Sequence, residues 1–76
     1  QINELVKSIN PQLSIHDLRT VPGPTHTNVI FDCVKPADFE LDDDELKHRI
    51  SDLVTEIHPE AICKITIDQS YISAHQ

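Results

Sequence analysis

Residues 13–34 read LSIHDLRTVPGPTHTNVIFDCV. Two runs of alternating apolar and polar residues flank Pro22-Gly23-Pro24. An alternation of period two puts successive side chains on opposite faces of an extended chain, so the stretch reads as a β-hairpin. In the turn, proline fixes φ at the second position and Gly23 is expected to supply the positive φ of the third. The first strand runs from Leu13 to about Val21, with His16, Leu18 and Thr20 on one face and Ile15 and Asp17 on the other. The second runs from Thr27 to Lys35 and is ended by Pro36. Val29, Phe31 and Cys33 share one of its faces, and Asn28, Ile30, Asp32 and Val34 share the other.

Upstream, Ile2, Leu5, Val6 and Ile9 recur at helical spacing until Asn10-Pro11 stops the run. Downstream, the stretch PADFELDDDELKHRISDLVTEIHP (36–59) holds the clearest helix, with a stripe of Leu46, Ile50, Leu53, Val54 and Ile57. Asp42 and Glu45 fit a capping box, the remaining early acids suit the positive helix start, and His58-Pro59 closes the element. A third strand spans Ile62 to Asp68, with Cys63, Ile65 and Ile67 inward and Lys64, Thr66 and Asp68 outward. Tyr71 and Ile72 extend that strand or cover its end. The order helix–strand–strand–helix–strand defines an α+β fold. The second helix makes a right-handed crossover between parallel strands, which leaves both helices on one sheet face. The other face carries Leu18, Ile30 and Val34 uncovered, and a second copy of the chain is the expected cover.

Composition bounds what such a domain does. At 76 residues there is room for one small domain, which buries only about 60% of its unfolded surface. Six basic against thirteen acidic residues give a net charge of −7, which excludes nucleic acid as a partner because no basic face is available to displace counterions. Cys33 and Cys63 form no CxxC pair and fall inside apolar runs, as reduced core residues do. No apolar stretch approaches the ~20 residues that cross a membrane. The chain begins at Gln1 and its first ten residues read as the end of a longer helix, as expected of a piece of a larger protein.

The acids Asp42 to Glu45 are contiguous and open a helix, whereas calcium loops alternate their acids and turn on a glycine. His26, His48, His58 and His75 have no partner at metal-ligand spacing and read as solvated. His16 is different. On an alternating strand it shares the open face with Asp32 and Asp68, and one imidazole with two carboxylates is a donor set for a first-row divalent ion. The alternative is a hydrogen-bonded rim at the interface. Catalysis is not expected: Gly23 is the single glycine, so no loop cradles phosphate, and His16 and Asp17 point to opposite faces.

The string His16-Asp17-Leu18-Arg19-Thr20, followed by Gly23-Pro24-Thr25 and a hydrophobic strand, resembles the C-terminal cytoplasmic domain of cation diffusion facilitator metal transporters. The resemblance covers nearly the whole chain. It implies a metallochaperone-like αββαβ fold in which residues 1–76 form one domain: 1–10 the end of a linker helix, 12–72 the core and 73–76 a tail. It further implies a V-shaped homodimer on the cytoplasmic face of the cell membrane, joined to its own transmembrane domain in a proton-coupled exporter of divalent metal cations. Family members with a cytosolic zinc site ligate it through the histidine of the His-Asp pair, a histidine on the second strand, and a histidine and an acid on the third. Those positions correspond here to His16, Val34, Asp68 and Ser70. The resemblance thus leaves His16 and Asp68 as donors, and the shared open face adds Asp32; weak binding of a divalent ion of the zinc, manganese or iron class is expected through these three. Two other readings remain: a free-standing metal carrier, which would present reactive thiolates on a loop, and a ligand-binding regulatory module, which would need a glycine-containing loop at the dimer edge.

Overall fold

The computed structural model describes residues 2–70 in the order α1 (Ile2–Ile9), β1 (Ser14–Pro22), β2 (Thr27–Pro36), α2 (Asp43–Ile57) and β3 (Ala61–Ser70). This is the expected α+β arrangement. The three strands form one mixed sheet in the order β1-β2-β3, with β1 antiparallel and β3 parallel to the central β2. Tyr71, Ile72, His75 and the rest of the expected tail lie outside the described residues.

Alternation in β2 divides the molecule. Val29, Phe31 and Cys33 are buried with Val6 of α1, Leu13, Ala61, and Leu46, Ile50 and Val54 of α2. Leu46, Ile50 and Val54 are spaced four apart, the repeat that keeps one helix face on a sheet. Leu53 is half-buried, but Ile57 is 56% exposed because the stripe has turned off the sheet by the last turn. Phe39 and Leu41 pack against the same core from the loop before α2, a role that their sequence context did not announce. Asp42 caps α2 by accepting the Glu45 amide at 2.8 Å, which satisfies one of the helix start's unpaired donors.

Two lysines fasten the layers. Lys7 donates to the Leu13 carbonyl at 2.7 Å and to that of Pro11 at 3.2 Å, holding the end of α1 against the entry to β1. Lys35 is the next residue after Cys33 on the core face of β2 and is only 4% exposed. Its ammonium lies 2.7 Å from Asp43 Oδ1 and donates to the Leu41 carbonyl at 3.2 Å, tying the end of β2 to the start of α2. A buried ammonium without a counter-charge costs several kcal/mol, so Asp43 is the partner that lets Lys35 occupy a core position.

The hairpin turn differs from expectation in its mechanism. Gly23 does not adopt positive φ. Its amide donates to the His26 carbonyl at 2.8 Å, and a Cβ on Gly23 would meet that same oxygen at 2.8 Å. Glycine is required for close approach rather than for a left-handed backbone.

Both thiols point into the helix-covered side, Cys33 buried and Cys63 half-buried. Burial pushes the Cys33 thiol up from 9.0 to about 11, against the pull of the Lys35 ammonium. Burial also raises Cys63, and a hydrogen bond with Ser51 opposes the shift. A raised thiol pKa means the folded state favours the neutral form. The contribution of Cys33 is therefore whole below about pH 9 and is lost as pH rises towards about 11. In the native protein at neutral pH both thiols should react with a thiol reagent far more slowly than in denaturant, and unfolding midpoints should fall across that alkaline window. Reaction as fast as in the denatured chain would contradict the inward placement.

Candidate functional site

The face of the sheet away from the helices is built of four rungs that the strand register fixes. From the hairpin end they are Val21–Asn28–Ile62, Arg19–Ile30–Lys64, His16–Asp32–Thr66 and Ser14–Val34–Asp68. Ile30 and Val34 stand in the centre, half-buried by their neighbours alone, while Val21 at 50% and Ile62 at 42% exposure extend the apolar surface towards one end.

The alternation of β1 breaks at Asp17. Between the pairs His16–Asp32 and Arg19–Ile30, two residues of β1, Asp17 and Leu18, stand against Phe31 alone. This is a β-bulge, and Asp17 takes the left-handed backbone it needs, with φ 58°. Arg19 Nη1 donates to the Asp17 carbonyl at 3.0 Å and braces the bulge. The consequence is a change of phase, which corrects the sequence reading. Beyond the bulge Arg19 and Val21 share the open face, whereas Thr20 pairs with Val29 and turns to the helix side. Leu18 sits in the bulge itself, 50% exposed and without a cross-strand partner. The clue in the sequence was Asp17, since aspartate is one of the few residues besides glycine that enters the left-handed region readily.

His16 and Asp32 are direct cross-strand partners on the open face, as expected. Asp68 faces the same way but stands opposite Val34, one rung further on and about 7 Å along the strand from Asp32's rung. Among the described residues no three His, Cys, Asp or Glu side chains come close enough to hold a metal ion. The expected convergence of His16, Asp32 and Asp68 on one ion therefore does not assemble within a single chain. His16 Nε2 instead makes a long hydrogen bond with Ser14 Oγ, at 3.3 Å. The other described histidines are engaged locally: His26 with Thr25 at 2.9 Å, His48 with the Asp44 carbonyl at 3.0 Å, and His58 3.9 Å from Glu60.

An open depression of about 610 Å³ lies at the far end of the sheet, with Gln12, Ser14, Val34, Lys35, Asp38 and Ser70 among its walls. Its one cation, Lys35, is already committed to Asp43 and Leu41, which leaves Asp38 as the charged group on its walls without such a tie to the cation.

The chain matches no protein-family model, no curated protein and no solved structure. No helix among the described residues is long and apolar enough to cross a membrane.

The bulge makes a direct forecast. Asp17→Gly should raise stability by about 0.5–1 kcal/mol by removing left-handed strain, whereas Asp17→Val should lower it by about 1–2 kcal/mol. Urea unfolding of the two variants beside wild type checks this. Equal effects of Gly and Val would show that the backbone at residue 17 is not left-handed.

Proposed function

We propose that this chain is the cytoplasmic dimerisation and regulatory domain of a divalent-metal exporter of the cation diffusion facilitator type, with transport itself performed by a membrane part of the protein. The observation that carries the reading is the open sheet face: a three-stranded sheet covered by helices on one side only, with Ile30 and Val34 at the centre of the other. The helix–strand–strand–helix–strand order and the parallel β2–β3 pair agree with the resemblance of the His16–Thr20 string to that family. Against a free-standing carrier stands the chemistry of the thiols, which are inside strands and held neutral. The coding sequence upstream of Gln1 tests the class: hydrophobic spans there support the exporter, and their absence sinks it.

In this reading a second copy covers the open face, and Leu18, at the bulge beside it, contributes at the margin. Metal has two neighbouring donors per chain, His16 and Asp32, where tight structural zinc takes four protein ligands. A ligand shifts an equilibrium between two dimer geometries only through its differential affinity, so so weak a site makes the domain mainly a constitutive dimeriser.

Two measurements follow. Sedimentation should show self-association that Val34→Lys or Ile30→Lys weakens at least about ten-fold while the circular dichroism stays that of the folded chain; a burial-sized loss of about 1.5–3 kcal/mol per side chain sets the scale. A folded wild-type monomer at tens of micromolar would remove the dimerisation role. Calorimetric titration with zinc or manganese should give weak binding that His16→Ala abolishes. Sub-micromolar affinity that survives that change would place the ligands elsewhere.

A further inference from the structure

Resting on the open face as the seam between two copies, we infer that the copies stack with their strands antiparallel, about a two-fold axis that runs along the His16–Asp32–Thr66 rung. The charge pattern of the face selects this arrangement. Two identical sheets can meet face to face about a two-fold axis parallel to their strands or about one perpendicular to them in the interface plane. The parallel axis lays β3 of one copy over β1 of the other and keeps each rung at its own level. Lys64 then meets the partner copy's Arg19 twice, a cationic clash at both margins.

The perpendicular axis lays β3 over β3 and exchanges the rungs on either side of the axis. With the axis on the His16–Asp32–Thr66 rung, the Arg19–Ile30–Lys64 rung of each copy covers the Ser14–Val34–Asp68 rung of the other. Ile30 then meets Val34 in both directions, and Lys64 meets Asp68 in both directions, while on the axis itself His16 and Asp32 each face their own copy; the Asp32 pair is common to both axes and does not discriminate between them. Moving the axis by half a rung instead sets Ile30 on Asp32 and Val34 on Asn28, which buries polar groups against apolar ones. All four matched side chains come from β2 and β3, the two strands whose alternation runs without interruption. Stacked sheets lie about 10 Å apart with strands within about 30° of alignment, a separation that Lys64 and Asp68 can span at the exposed margin.

The size of the face makes these pairs matter. Three strands of nine or ten residues cover a footprint of roughly 400 Å², about half of what each partner buries in a standard interface. With so little apolar area, charge at the rim decides which way round the copies sit.

Two experiments test the register separately from the seam. First, Lys64→Asp and Asp68→Lys should each weaken self-association about ten-fold, and the double variant should recover most of it, because the reversed pairs face each other again. Second, chains carrying Ile30→Cys should be mixed with chains carrying Val34→Cys and treated with a short bifunctional thiol crosslinker. The mixture should crosslink faster than either chain with itself, with wild type as the control for Cys33 and Cys63. Faster crosslinking of each variant with itself, or no recovery in the double charge variant, overturns the antiparallel register while leaving the seam intact. No crosslinking in any combination, together with a Val34→Lys variant that sediments as wild type, overturns the seam and the register with it.

Discussion

Everything in this molecule depends on β2 being hydrogen-bonded on both sides while only one of its faces is covered. Two helices supply one layer, so the period-two alternation of a single strand sorts Val29, Phe31, Cys33 and Lys35 into the interior and Asn28, Ile30, Asp32 and Val34 onto the open sheet. The interior half of that sorting is conventional except at its end, where Lys35 enters the core and recruits Asp43 to neutralise it. The same ion pair fixes where α2 begins relative to the sheet, and Asp42 then caps that beginning. The exterior half is where a small acidic domain keeps its apolar surplus.

The legibility of the sequence followed the regularity of each element. The alternation of β2 and β3 is unbroken, so the faces assigned from sequence are the faces observed, including the inward thiols and the outward Lys64, Thr66 and Asp68. The stripe of α2 was readable at Leu46, Ile50 and Val54, and it overreached at Ile57, where a helix of this length has rotated past the sheet's edge. β1 was legible only as far as His16. A bulge adds one residue without changing composition, and every assignment beyond it flips face; hence Thr20, though still exposed, lies on the helix side and Arg19 and Val21 on the open face. Gly23 was correctly read as indispensable to the turn but for the wrong reason, since the constraint is the His26 carbonyl and not the sign of φ.

The candidate site shows how far a face assignment can carry a chemical one. Sharing a face does not place residues on the same rung. His16 and Asp32 meet because the antiparallel register puts them opposite each other before the bulge, and Asp68 misses them because the parallel register of β3 sets it beside Val34. What the open face offers within one chain is two central apolar residues, Ile30 and Val34, with Asp32 between them and charges of both signs at separate levels on the flanking strands. Such a surface suits a copy of itself better than it suits an ion, and that preference is the ground of the dimerising role we propose.

The most direct test of this account is an isotope-filtered nuclear Overhauser experiment on an equal mixture of labelled and unlabelled chains. Contacts between chains should originate from the methyl groups of Ile30 and Val34 and be absent from Val29, Leu46 and Val54, which the helices already cover. Contacts between chains that arise from the outer surface of α2, with Ile30 and Val34 silent, would contradict it.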